Sequence, residues 1–443
     1  MSYYKTILCK LLPIVLLFAS CETDFENPNA ATSEQTFSSR EGILAAAVGM
    51  QQLYSTTGLR WAIETPAITA REGGITTTFQ NMIELEDGGT DLPSFNSNVQ
   101  GLWSTMLRVI KLAEDIEANA ESIDLEPGTQ SGLIAYAKML KAWSIGFLAL
   151  NYEQVIVATS NDNDASFSTR QEAFNTVITL LNEAKSTIAA TPVSSEFVNA
   201  VTLGNIDLAN SINASLARYN LFAGNYDAAI TDATAVDLSS TSVFAYDTQN
   251  LNPIWSRVFL NDAPNFKPRD NFGLPSEFVF DPDDGRLEFY LVPLDETNQN
   301  GLPIEDLAGF FNINTGDIPV YLPDEMNLIV AEANLRKATP DVAAATAALN
   351  EVLTDMDDPF GVNAGIAPYS GPNTVDALLD AVYQNRRAEL FLTGLSLEDS
   401  RRFNRPQPSG ASMDYTEERN RNFYPYPDLE RNSNPNTPAD PTI

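Results

Sequence analysis

Leu216-Ala217-Arg218-Tyr219-Asn220-Leu221-Phe222-Ala223-Gly224-Asn225-Tyr226-Asp227-Ala228-Ala229-Ile230 is the stretch from which the architecture can be read. An amphipathic helix runs into Gly224-Asn225, a common stop signal, and a second helix begins at once. Small Ala229 and Ala233 fall where two helices must approach closely. A second pair of this kind runs through Met326, Ile329 and Ala333, turns at Thr339-Pro340 and resumes through Val342, Leu349 and Val352. Other helical stripes recur upstream: Ile43, Ala47, Met50 and Tyr54; Tyr136, Leu140, Trp143, Phe147 and Leu150; Phe174, Val177, Ile178, Leu181 and Ile188.

Such pairs resemble tetratricopeptide repeats, although they do not recur at a clean interval of about 34 residues. The expected fold is mainly α, a TPR-like helical-hairpin solenoid with long irregular loop insertions. A generic helical bundle is the alternative. Two regions break the pattern, 58–100 with its glycines and 250–320 with its prolines, and both carry aromatic residues that argue against disorder. Residues 404–443 read as a coil tail lying over the helical body. The expected parts are 1–20, a signal peptide; 21–37, a leash; 38–240, an N-terminal part with helix pairs; and 241–443, a C-terminal part with loop insertions and the tail.

Charge and composition exclude several functions. The 443 residues carry a net charge of −33, which disfavours nucleic acid and direct binding to anionic lipid. There is no histidine, so neither a Ser-His-Asp or Cys-His nucleophile nor a histidine-ligated metal site can form. Hydrolysis by a carboxylate pair stays open, since 59 acidic residues always include some pair at suitable spacing.

The N-terminus points to a compartment. Lys5 and Lys10 precede the apolar run from Leu11 to Ala19, too short for a mature membrane-spanning helix. Phe18-Ala19-Ser20-Cys21 resembles a bacterial lipoprotein signal, which would make Cys21 the lipidated first residue of the mature chain. Cys9 would be lost with the signal, leaving no disulfide. Glu22, Asp24 and Glu26 follow in a polar leash, similar to the export signal of surface lipoproteins in Bacteroidetes-type bacteria. The expected location is the cell outer membrane, anchored by lipid and facing the exterior.

Near the other end lies Arg386-Arg387-Ala388-Glu389-Leu390, followed by Gly394, Asp399 and Arg401-Arg402. Val375, Leu378, Leu379 and Val382 define an apolar helical face, and continuing it brings Arg386 and Glu389 onto that face, three residues apart and able to pair. A partly buried pair that fixes geometry is expected, with Gly394 as the helix stop.

Taken in order, the chain resembles the SusD/RagB family of nutrient-uptake outer-membrane lipoproteins over essentially its whole mature length. The resemblance rests on the lipoprotein cysteine with Asn27-Pro28-Asn29, Leu102-Trp103 with Arg108-Val109-Ile110, and Lys141-Ala142-Trp143. It continues through the hairpin at Leu216, Asp284-Gly285-Arg286 with Tyr290, Glu325 with Ala331-Glu332-Ala333, and Leu349-Asn350-Glu351-Val352. The Arg386 stretch and the tail Tyr424-Pro425-Tyr426-Pro427, Glu430 and Asn434-Pro435-Asn436 complete it. Thr393 and Ser396 depart from the family's usual Glu and Arg. The resemblance implies a binding protein rather than an enzyme. Its partner would be a SusC-like TonB-dependent transporter barrel, its ligand an oligosaccharide, and its action that of a lid. A peptide-capturing RagB-like version, a surface glycosidase and a periplasmic TPR adaptor are the alternatives.

Trp103 and Trp143 lie on apolar helical stripes and are expected in the core. Trp61, Phe79 and Trp255, in the irregular regions, are the candidate sugar platforms. Arg71, Asn81 and Asp91 are candidate partners for hydroxyls. No cofactor is expected; the clusters Asp162-Asn163-Asp164 and Asp281-Pro282-Asp283-Asp284 offer oxygen ligands to calcium but match no EF-hand loop.

Overall fold

In the computed structural model, which describes residues 36–443, the main helices are α1 (Arg40–Gln52), α2 (Leu59–Thr69), α3 (Gln80–Asp87), α4 (Ser97–Ala120), α5 (Pro127–Asn151) and α6 (Arg170–Ala190). They continue as α7 (Leu208–Ala223), α8 (Tyr226–Thr234), α9 (Pro323–Arg336), α10 (Val342–Thr354), α11 (Val375–Glu389) and α12 (Ser396–Arg402). From α4 to α10 each helix packs on the next, and α9 also packs on α11. Stacking of chain neighbours in this way is the arrangement of a helical solenoid. Cys21, the signal peptide and most of the leash lie outside the described residues.

The hairpin from Leu216 to Ile230 forms as its sequence implies. Gly224 ends α7 at φ 81°, and the N–H of Asn225 donates to the Asn220 carbonyl at 2.8 Å. Ala229 and Ala233 of α8 are buried against Ala214 and Ala217 of α7 and against Ile329 and Ala333 of α9. Their small side chains let three helices meet. The α9–α10 pair follows the same plan, with the Asp341 carboxylate accepting the Ala344 N–H at 3.0 Å to start α10. Helix α5 is long and apolar enough to cross a membrane, yet 83% of its most apolar window is buried inside the protein. A helix that is apolar on all sides suits the centre of a large core.

Eight short strands form four antiparallel pairs among the described residues. They are β1 (Gly73–Ile75) with β5 (Phe266–Pro268), β2 (Gln154–Ile156) with β3 (Phe167–Thr169), β4 (Val243–Phe244) with β8 (Ile318–Pro319), and β6 (Leu291–Thr297) with β7 (Pro303–Leu307). They staple the insertions onto the helices. Gly73 faces Pro268 and Ile75 faces Phe266, so β1 and β5 join the two regions that break the helical pattern. The 58–100 region is more helical than expected. It contains α2 and α3, with a π-helical turn, Leu53–Gly58, carrying α1 directly into α2. Gly58 is among the glycines that mark the region as irregular, but burial of nearly all of α2 overrides it, with Pro66 accommodated inside the helix.

The tail is a strap. Tyr424 and Tyr426 are fully buried. The Tyr424 hydroxyl lies 2.8 Å from Thr69 Oγ1, and the Trp103 indole N–H donates to Glu430 at 3.0 Å. Trp103 and Trp143 are both core residues, as expected. One continuous apolar cluster runs from Ile43 to Tyr426, so residues on both sides of position 240 share a core.

Arg386 and Glu389 are both buried, but they do not pair with each other. Arg386 forks onto Asp399 of α12, Nε to Oδ2 at 2.8 Å and Nη2 to Oδ1 at 3.1 Å. Arg402 also binds Asp399, and reaches Glu332 of α9. Glu389 instead lies 3.5 Å from Arg286, whose closer partner is Asp284 at 2.7 Å. A guanidinium pairs best with a carboxylate that meets its fork in plane, and here neighbouring elements present that carboxylate. Burial pushes the Glu389 carboxyl well above its ordinary range, with Asp324 adding to the shift and Arg286 opposing it. Gly394 also differs from the expected helix stop. Helix α11 has ended by Leu390, and Gly394 sits at φ 84° where any Cβ would overlap the Ala62 carbonyl oxygen of α2.

Candidate ligand-binding surface

Helices α2, α3 and α4 converge near the short turn Trp255–Val258. Trp61 projects from α2 and lies over Gly101 of α4, where a Cβ would overlap the indole ring. Its own neighbour Arg60 stacks on it, the guanidinium 4.0 Å from the ring centroid. One turn further, Glu64 is fully buried and takes Arg257 in a fork, Nε at 3.0 Å and Nη2 at 2.9 Å. That ion pair ties the Trp255 turn to α2. Asn252 fixes the turn from the other side by accepting the Ile254 and Trp255 N–H groups at 3.0 and 3.1 Å.

Helix α3 adds polar groups. The Asn81 amide donates to Asn98 Oδ1 of α4 at 2.6 Å, and Asn96 donates to the Asn81 carbonyl at 2.8 Å. Phe79, just before α3, is 59% exposed, and Phe95, just before α4, is 62% exposed. The β6–β7 turn borders this edge, with Gln299 donating to the Thr77 carbonyl at 3.3 Å. Glu86 anchors that turn by accepting the Ile75 N–H at 2.7 Å and the Asn298 amide at 3.1 Å. Burial raises the Glu86 carboxyl, while these hydrogen bonds hold it down. The outcome is a braced ledge that carries exposed or partly buried aromatic rings and one partly buried amide, Asn81, since Asn96 and Asn98 are buried.

Of the six candidate residues, Trp61, Phe79, Asn81 and Trp255 sit on these neighbouring elements. Arg71 and Asp91 do not. Arg71 is 1% exposed, with φ 62°, and donates to the Glu86, Asp414 and Glu417 carbonyls at 2.8, 3.0 and 3.3 Å. It is therefore a clamp on the tail, not a hydroxyl partner at a surface. Asp91 lies along the same seam, its N–H donating to Ser412 Oγ at 3.1 Å. Sequence reasoning missed Arg60, Arg257 and Phe95. Adjacency to Trp61 was the signal for Arg60; Arg257 had none. Among the described residues no three His, Cys, Asp or Glu side chains gather to hold a metal ion. In the acidic clusters, Asp284 is held by Arg286 and Asp281 accepts the Asp283 N–H at 3.0 Å.

A small cavity lies deeper, lined by Tyr54, Trp143, Tyr219 and Phe244 with the Arg218–Glu325 pair. At about 50 Å³ it has room for water only, not a sugar ring.

No protein-family model matches the sequence, and no curated protein does. Solved structures do match. A SusD superfamily protein from Bacteroides thetaiotaomicron aligns at TM-score 0.66 and 18% identity, over 91% of this chain and 100% of that one. A SusD superfamily protein from Bacteroides vulgatus aligns at TM-score 0.66 and 14% identity, over 92% and 98%. A SusD-like carbohydrate binding protein from Bacteroides fragilis aligns at TM-score 0.66 and 13% identity, over 90% and 99%. At such identities the likeness is one of architecture, and it extends over nearly the whole of both partners: the chain has the SusD-like fold.

Proposed function

We propose that the protein captures oligosaccharides on the ledge of Trp61, Phe79, Asn81 and Trp255 and passes them to a SusC-like TonB-dependent transporter. In this reading a lipid on Cys21 tethers it to the outer membrane, facing the exterior, and it acts as the transporter's lid. The observation that carries the reading is the grouping of partly exposed aromatic rings with the Asn81 amide on a braced surface. Sugar rings offer apolar C–H faces to such rings and hydroxyls to the part of the Asn81 amide that is not donated to Asn98. The carbohydrate-binding description of a structural neighbour supports the ligand class. Binding without hydrolysis is favoured because Glu64, the ledge's central carboxylate, is buried and occupied by Arg257.

Calorimetry with panels of oligosaccharides and peptides tests the ligand class. Oligosaccharide binding that weakens about tenfold in Trp61→Ala, with the sugar recovered intact, is expected. Binding of peptides alone would overturn it in favour of peptide capture, and release of shortened sugars would make the protein a glycosidase. Gentle solubilisation of membranes tests the partner: a TonB-dependent barrel should co-purify, and recovery of the lipoprotein alone would remove the lid role.

A further inference from the structure

Among the lysines and arginines of the described residues, Arg108 alone has no hydrogen-bonding or ion-pair partner. In a chain of net charge −33 an idle guanidinium is unusual, because carboxylates are plentiful. Arg108 is exposed on α4 and lines a groove of about 390 Å³ between that helix, the loop after β2 and the C-terminal residues 430–434. This volume falls in the range of roughly 300–1,000 Å³ typical of small-molecule sites.

The groove's own acid is already engaged. Glu430 accepts the Trp103 indole N–H on one oxygen at 3.0 Å and the Asn434 amide on the other at 2.8 Å. Lys111, also lining the groove, is held by Asp115 at 2.6 Å. Asn161 and Asn163 line the loop side, and no protein group engages their side-chain amides. Leu107 and Ile156 give the groove an apolar floor. Asp162 and Asp164 are exposed on the same loop and oppose an anion, although the Asp164 carboxylate accepts the Ser160 hydroxyl. An anion entering here must therefore be fixed at short range by Arg108 rather than drawn in by the overall field.

We propose that this groove binds a carboxylate-bearing monosaccharide, a uronic acid. Arg108 takes the carboxylate through its planar fork, Asn161 and Asn163 take ring hydroxyls, and the Leu107–Ile156 floor takes the C–H face. The site is separate from the Trp61 ledge and does not rest on the function assigned to it.

Calorimetry of the full chain with galacturonate, glucose and acetate tests the proposal. Galacturonate should bind at least tenfold more tightly than either of the others, and more weakly as salt rises. Arg108→Gln should weaken galacturonate about tenfold, the cost of losing hydrogen bonds to a charged group, with thermal unfolding unchanged because the side chain is exposed. Trp61→Ala should leave galacturonate binding unaltered. Equal binding of glucose, equal binding of acetate, indifference to Arg108→Gln, or no binding of galacturonate would each overturn the assignment.

Discussion

Two regions of this molecule use arginines and aromatic rings to opposite ends. Around α11 and α12 the charges are sealed: Arg386, Asp399 and Glu332 are buried, and Arg402, with its side chain 10% exposed, closes the chain of contacts. At the ledge only the brace is sealed, Glu64 with Arg257, while Phe79 is exposed and Trp61 is partly buried beneath Arg60. In the first region removing a side chain strands a partner in a low-dielectric interior. In the second it removes contact area that solvent already reaches. The same residue types thus register as stability in one place and as binding in the other.

The sharpest way to break this contrast is Asp399→Ala. It leaves Arg386 with only Glu332 at 4.0 Å, and the expected loss is about 3–5 kcal/mol by chemical denaturation. A loss below 1 kcal/mol would mean that water enters the seam. Glu389→Gln should be far milder than Asp399→Ala, because burial already favours the protonated carboxyl.

Glu72 gives a pH signature. Burial pushes its carboxyl up to about 7, against the pull of Arg387. Because the folded value lies above the unfolded one, the native state holds the extra proton between about 4.5 and 7. Stability from this group is therefore intact below that window, declines across it, and is flat above, by about 3 kcal/mol in all. Glu72→Gln should flatten that decline. An unchanged slope of unfolding free energy against pH would show that another group is responsible.

Gly394→Ala should cost about 2 kcal/mol, since it combines a left-handed backbone with overlap on the Ala62 carbonyl. Phe79→Ala sits at the far end of the scale. With 59% of its surface already exposed it should alter stability by less than about 0.5 kcal/mol while weakening oligosaccharide binding. A clear drop in its melting temperature would make Phe79 a packing residue.

Local chemistry explains what could be read in advance. The α7–α8 hairpin was legible because its stop residue and its small packing residues lie within one stretch. The burial of Arg386 was legible from helical phase, but its partner was not, because Asp399 arrives on a separate helix after a turn. Trp61 falls in a region whose glycines mark it as irregular, whereas tertiary burial keeps α2 helical. Arg71 was misread for a longer-range reason: its partners Asp414 and Glu417 lie more than 340 residues away, and nothing near Arg71 announces them.

The strap has a consequence for the order of events in synthesis. Tyr426 packs against Trp103 and Tyr152, and Tyr424 bonds to Thr69, all of them made long before the last residues leave the ribosome. Contacts of such sequence separation form slowly and late. A nascent chain stopped short of Tyr424 holds a solenoid with an open wall and a Trp103 indole without its acceptor. Protease protection of stalled chains should therefore rise sharply only once Tyr426 and Glu430 have emerged, so that the 424–430 segment acts as the latch of a fold whose body has been waiting for it.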